Sequence, residues 1–244
     1  MADASRISIL MYHQVGRFPP MGTHRANYCD QGRFTRQMGL IARLGCRVLD
    51  LDTALACLSG RIPTPARALV LTFDDAYDNF ADSALPILQR HGFPATVYAI
   101  SGWLGRRAEW FAKDPGRDIP ALMSAERLRE IQAAGMTIGS HTVNHVKLGE
   151  SVRHLCYPFG SFDLGAVRAA AAAGYATATT CLRGAATAAD HPLALPRKAI
   201  SYGDNLIGFW WKLAVKHAPK PALTEWRERL AREPRALESP RRQA

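Results

Sequence analysis

The stretch Ala68-Leu69-Val70-Leu71-Thr72-Phe73-Asp74-Asp75 constrains the fold of this chain more than any other. Its short run of apolar, partly branched side chains predicts a buried strand, and two adjacent carboxylates end it abruptly. In parallel α/β folds the loops at the carboxyl ends of the strands converge on one cleft, so acids at such an end stand where chemistry is done. An Asp-Asp pair serves a turn or a helix N-cap equally well. The pair alone does not decide between these readings.

Further strands and helices alternate around it. Ile7 to Tyr12 predicts a first strand that delivers His13 at its end, and Arg17 to Asp30, with two prolines, one glycine and Asn27, reads as a loop. Phe34, Met38, Ile41 and Leu44 recur at helical spacing. Asp50 to Leu58 and Ala81 to His91 predict helices, the second stopped by Gly92. Ala95 to Ile100 is a strand, and Ser124 caps a helix running to Ala134. Met136 to Ser140 is a strand that delivers His141-Thr142-Val143-Asn144-His145. His154 to Gly160 reads as strand and turn, Ala166 to Ala173 as helix, and Ala176 to Cys181 and Ala194 to Ile200 close the series. Repeated βα units predict a parallel sheet or barrel.

With 244 residues, 48% hydrophobic and 21% charged, one large globular domain is expected over residues 1–205, followed by a basic amphipathic tail, 206–244. The net charge is +10, and the segment from Lys212 onward carries nine basic against four acidic residues. Ile207 to Lys212 followed by this tail suits either an anionic membrane surface or a helix packed on the barrel. No nucleic-acid reading motif accompanies the charge, so nucleic acid is excluded as a partner. The five cysteines, Cys29, Cys46, Cys57, Cys156 and Cys181, show no CxxC spacing and suit free thiols in a reducing compartment. The first residues lack the apolar core of a leader, and no run reaches a membrane-spanning length. A cytoplasmic location is expected, with peripheral contact to the inner membrane.

Three polar clusters fall at strand ends: His13, Asp74 with Asp75, and His141 with His145. Histidines four apart lie one helical turn apart and can reach one ion. A carboxylate from another strand completes a His2Asp set with open positions for water and substrate. A divalent ion on Asp75, His141 and His145 activates water and polarises a carbonyl, while Asp74 is free to take the water's proton. The turn at Tyr157, fixed by Pro158, offers a backbone amide to the oxyanion. The chemistry so assembled is hydrolysis of an amide or ester.

Thr72-Phe73-Asp74-Asp75, Ser140-His141-Thr142-Val143-Asn144-His145 and Tyr157-Pro158-Phe159-Gly160, in this order, resemble the first three motifs of the polysaccharide deacetylases, the NodB-homology domains of carbohydrate esterase family four. The resemblance covers roughly Ile7 to Ile200. It implies a distorted (β/α)7 barrel and metal-dependent removal of acetyl groups from sugars, with Asp74 as base, Asp75, His141 and His145 as ligands of a divalent ion, most simply zinc, and Tyr157 as the oxyanion amide. The Tyr12-His13 opening resembles the subgroup acting on poly-N-acetylglucosamine and related glycans, which nominates His13 as general acid.

The chain departs from the family in three places, one being that a late histidine serving as general acid is not evident, since His191 lies in a loop before Pro192 and His217 in the basic tail. Many relatives open the third motif with an arginine, and here Cys156 stands there; Arg197 either replaces that cation or lies solvated at the surface. Only nine residues separate His145 from Leu155. A parallel crossover usually takes a dozen or more with a helix, so either the strand order is altered or one crossover helix is missing. Trp103, Trp110 and Phe159 are candidate sugar contacts, the two tryptophans serving equally as barrel-mouth core. The expected activity is removal of an N-acetyl group from an amino sugar of a bacterial surface polysaccharide or lipopolysaccharide precursor, the substrate being an N-acetylated glycan or lipid-linked sugar. Cys156 and the short crossover motivate the alternative, a catalytically impaired relative serving as a glycan-binding or scaffold module. The sequence leaves the oligomeric state open.

Overall fold

The computed structural model describes residues 6–19, 25–111, 119–142 and 152–233. Its strands are β1 (Arg6–Tyr12), β2 (Gln14–Gly16), β3 (Tyr28–Asp30), β4 (Arg47–Leu49), β5 (Ala68–Phe73), β6 (Thr96–Ala99), β7 (Thr137–Ser140), β8 (His154–Cys156), β9 (Thr177–Arg183), β10 (Ala186–Thr187) and β11 (Leu195–Ala199). The α-helices are α1 (Gln31–Arg43), α2 (Leu51–Leu58), α3 (Leu85–His91), α4 (Ala125–Ala133), α5 (Leu164–Ala172), α6 (Leu206–Ala214) and α7 (Pro221–Leu230). Seven strands pair in parallel around a closed ring, β1-β5-β6-β7-β8-β9-β11 and back to β1. Closure removes the edges that an open sheet would expose. β4 extends the first half of β5, and β10 runs antiparallel against the start of β1.

Period-two alternation sorts each strand's side chains between two cores. Ile7, Ile9, Val70, Tyr98, Cys156 and Leu195 face one another inside the ring, and Leu51, Ala54 and Leu58 of α2 close its amino-terminal end. Leu10, Tyr12, Leu69, Leu71 and Phe73 face outward onto Phe34, Met38 and Ile41 of α1, Ile87 and Leu88 of α3, and Leu128 and Ile131 of α4. The same alternation turns Thr72 and Asp74 into the ring at its carboxyl end, where the Asp74 amide donates to the Tyr12 carbonyl at 2.9 Å.

Local signals set the helix ends. Asp30, Asp50, Ser124, Asp163 and Asn205 each accept from an amide in the first turn of α1, α2, α4, α5 and α6. Gly92 takes φ 63° to end α3.

Two expectations are corrected. The segment read as a loop from Arg17 to Asp30 ends in β3, which pairs in parallel with β2; three-residue strands are too short to show periodicity. An altered strand order is overturned, because β8 follows β7 as its parallel neighbour through the Ser140 and Leu155 pairing. The connection between them, residues 143–151, lies outside the described residues.

The C-terminal helices dock along the barrel. Phe209 of α6 enters the outer core, and Leu230 of α7 packs with Leu155, Val167 and Ala178. Arg227 clamps the buried Asp190 with Nε–Oδ1 at 2.7 Å and Nη2–Oδ2 at 2.8 Å.

Candidate active site

Asp74 and Arg197 meet inside the carboxyl end of the ring. Arg197 Nη1 donates to Asp74 Oδ1 at 2.6 Å and Nη2 to Oδ2 at 2.8 Å, with both side chains almost wholly buried. The remaining donors are also satisfied: Nε on the Thr180 carbonyl at 2.8 Å, Nη1 on Thr72 Oγ1 at 3.2 Å and Nη2 on Cys156 Sγ at 3.1 Å. A guanidinium offers five N–H donors in a rigid plane, and here every one is engaged. Arg197 is therefore a core residue, and the surface-solvated reading of it is overturned. The cation enters from β11 and leaves room for the small Cys156 side chain on β8.

Electrostatics follow from this pairing. Burial alone pushes the Asp74 carboxyl up, but the Arg197 guanidinium outweighs it and holds Asp74 well below the usual carboxylate range. Reciprocally, the Asp74 charge overcomes burial and holds Arg197 firmly protonated. Such a pair is hard to break, because removing one partner of a buried ion pair costs about 3–5 kcal/mol.

Beside it lies a second pair. His141 Nε2 is 3.1 Å from Asp75 Oδ1, and His141 Nδ1 is 3.0 Å from the Cys156 carbonyl. A backbone carbonyl on Nδ1 keeps the proton there and leaves Nε2 as the ligating nitrogen, the usual support for a metal-binding histidine. Burial disfavours the imidazolium, yet the Cys156 and Asp75 side chains favour it enough to raise His141 well above its ordinary value. Surroundings that hold a proton between a carboxylate and an imidazole also suit a cation, so Asp75 and His141 fit a divalent ion. Asp74, His141 and Cys156 also bring one ligand atom each within 4.8 Å of one another. The Arg197 guanidinium already occupies Asp74 and Cys156, however, and a second cation there would meet a fixed positive charge. His145, the third expected ligand, lies outside the described residues.

The backbone around these groups is held in an uncommon conformation. Asp75 (φ 71°), Ala76 (φ 52°), Thr142 (φ 58°) and Phe159 (φ 55°) are all left-handed; three lie in the motif segments at the mouth and Ala76 directly follows the first of them. Non-glycine residues held there carry strain of about 1–3 kcal/mol each, and such strain concentrates at functional sites.

His13 Nε2 lies 4.0 Å from Asp74 Oδ2, and among the described residues its buried Nδ1 has no hydrogen-bond partner. The Tyr157 amide is not offered to the mouth: it donates to the Thr179 carbonyl at 3.1 Å, continuing the β8–β9 ladder, while its hydroxyl donates to the Leu193 carbonyl at 3.0 Å. The oxyanion role expected of Tyr157 is corrected on that ground. Pro158 has no N–H, and Gly160 and Ser161 donate back to Tyr157 and Pro158. Phe159 is the amide of this turn that makes no backbone bond among the described residues, and its ring is 93% exposed.

Trp103 and Trp110 stack edge to face at 5.6 Å between ring centroids and pack with Tyr77, Ala108 and Leu122. Tyr77 ties this cluster to the acids, since burial and the Asp75 carboxylate push its phenol up. Nothing in the sequence singled Tyr77 out; only its place two residues after Asp75 hinted at it.

Comparison with known proteins agrees with this geometry. Residues 61–151 match the family model described as polysaccharide deacetylase. Over 223 residues the chain is 24% identical to the Bacillus subtilis (strain 168) protein named "Putative polysaccharide deacetylase YxkH", a match covering 82% of this chain and 73% of that one. A stretch of 88 residues is 33% identical to the poly-beta-1,6-N-acetyl-D-glucosamine N-deacetylase of Escherichia coli (strain K12), covering 35% of this chain and 13% of that one. The fold superposes on IcaB from Ammonifex degensii with a TM-score of 0.72 at 20% identity, over 86% of this chain and 98% of that one. A closed seven-stranded parallel barrel with acids and a histidine at its carboxyl mouth defines the fold class, a (β/α)7 barrel of the NodB-homology type. Over residues 61–151 the chain is similar to the polysaccharide deacetylases, and a relative with that name aligns along most of its length.

Proposed function

We propose that the chain hydrolyses the N-acetyl group of an amino sugar in a bacterial surface glycan or its lipid-linked precursor, with poly-β-1,6-N-acetylglucosamine as the first candidate. The observation that carries this reading is the two-pronged Arg197–Asp74 pair set directly beside Asp75 and His141. A polymer substrate is supported by the stretch shared with the poly-beta-1,6-N-acetyl-D-glucosamine N-deacetylase.

Asp75 and His141, joined by His145, would hold a divalent ion, zinc being the first candidate. Such an ion would supply Lewis-acid polarisation of the acetyl carbonyl and would lower the pKa of a water toward neutrality. The chain's own groups do the rest. Asp74 accepts the proton of the attacking water, its carboxylate kept ionised and oriented by Arg197. The new C–O bond gives a tetrahedral carbon whose oxyanion is met by the Phe159 amide. His13 protonates the sugar nitrogen as the C–N bond breaks, releasing acetate and a free amine. Trp103 and Trp110 form the wall on which a sugar ring stacks.

The impaired, binding-only alternative rested on Cys156 in place of an arginine and on the short crossover; Arg197 supplies the missing charge, while crossover residues 143–151 lie outside the described residues. Purified protein reconstituted with zinc, incubated with N-acetylglucosamine oligomers and assayed by mass spectrometry, tests the proposal. Loss of one acetyl mass per modified sugar, together with retained metal, is expected. A metal-loaded protein that binds the oligomer and leaves it intact would instead establish the binding module.

A further inference from the structure

A cavity of about 610 Å³ lies far from the acids. It is lined by Thr64 to Leu69, which lead into and begin the strand that Asp74 and Asp75 follow, so it sits toward the opposite end of the barrel. It opens between the end of α1 and the side of α6. Leu44, Leu69, Trp210, Leu213 and Ala214 make its walls apolar, while Arg6 and Arg67, both exposed, supply charge, and no acidic residue lines it. Arg67 Nη1 donates to the Leu44 carbonyl at the end of α1, which places its charge without neutralising it.

The outer side of α6 continues this cleft. One face of the helix sends Phe209 into the core, with Leu213 packed against it. The other leaves Ile207 (76% exposed), Trp210 (41%), Trp211 (47%) and Val215 (43%) in solvent. Their spacing of three and four puts them on one stripe, and Trp210 belongs both to the stripe and to the cleft. Lys216 and Lys220, both exposed, follow at its end. Apolar side chains on two opposite faces mark a helix that has a second apolar environment to meet. Tryptophans beside arginines and lysines are the side-chain chemistry of a membrane–water interface.

We infer that this face is a docking surface for an anionic phospholipid bilayer: the α6 stripe enters the headgroup region, and the cleft takes one acidic lipid with its phosphate against Arg6 and Arg67. Such seating leaves the carboxyl mouth of the barrel open, and the inference is independent of the deacetylase reading.

The test is co-sedimentation of the full chain with phosphatidylcholine vesicles with and without phosphatidylglycerol. Binding is expected only to the anionic vesicles, falling as salt is raised, since exposed charges are screened. Ile207→Ser combined with Trp211→Ser abolishes it. Arg6→Gln combined with Arg67→Gln weakens it about thirtyfold, at about 1 kcal/mol per charge near such a surface. Thermal melting of each variant confirms that it is folded, and acetate release from soluble oligosaccharides is unchanged in both. Equal binding to neutral and anionic vesicles, or wild-type binding by folded variants, overturns the inference. So does a concentration-dependent dimer, lost in the Ile207→Ser/Trp211→Ser variant, without vesicle binding; that result assigns the face to a second copy.

Discussion

Arg197 grips Asp74 from across the barrel, with its two terminal nitrogens 2.6 and 2.8 Å from the two carboxylate oxygens. The residues are far apart in the chain, and the pairing exists only because β5 and β11 both flank β1 in the closed ring. The orientation of the proposed base therefore depends on barrel closure itself.

Replacing Arg197 separates charge from geometry. Arg197→Lys keeps a cation but loses the planar fork, and kcat is expected to fall at least about a hundredfold with little change in KM, since the loss is one of positioning. Arg197→Met leaves Asp74 buried without its partner and is expected to lower stability by about 3–5 kcal/mol in denaturant titration.

Metal binding and proton transfer should come apart in the same way. Asp75→Asn and His141→Ala are expected to lose both bound metal, measured by elemental analysis, and activity. His13→Gln, which removes only the proposed general acid, is expected to retain metal while kcat falls about a hundredfold or more.

Lys198 gives the fold a pH dependence. Its Nζ contacts Ser8 Oγ at 2.9 Å, the Lys212 carbonyl at 2.7 Å and His217 Nδ1 at 3.1 Å, and burial with the nearby Arg6 charge pushes it down to about 7. An unfolded lysine titrates near 10.4. Between these values the unfolded chain binds the extra proton, so stability rises with pH across that window and levels off above it. Tm is expected to increase from about pH 7 to pH 9 more steeply in the wild type than in Lys198→Met, measured by circular dichroism.

Gly160 holds the third motif's turn against β9. It has φ +67°, and a Cβ there would fall 2.7 Å from Cys181 Sγ and 2.9 Å from the Cys181 amide. Gly160→Ala should destabilise the fold by about 1–3 kcal/mol and displace the adjacent Phe159 amide, reducing kcat as well.

Much of this was legible in the sequence because its signals are local. The run Ala68 to Phe73, the N-cap at Ser124 and the stop at Gly92 each depend on residues a few positions apart. The acids and His141 could be placed at strand ends for the same reason. What escaped the sequence is what closure creates. Arg197 looked equally like a surface cation, because only the ring brings β11 over Asp74. The Tyr157 amide looked available until the β8–β9 ladder took it. Tyr77 carried no signal, since its cluster with Trp103 and Trp110 is assembled by loops.

The measurement that tests the central claim most directly is acetate release from N-acetylglucosamine oligomers by zinc-loaded wild-type and Asp74→Asn proteins of equal metal content. The wild type is expected to release one acetate per free amine formed, and Asp74→Asn to fall by about a hundredfold or more while keeping its metal. Equal rates in the two proteins, or no acetate from a fully metal-loaded wild type, would contradict the account.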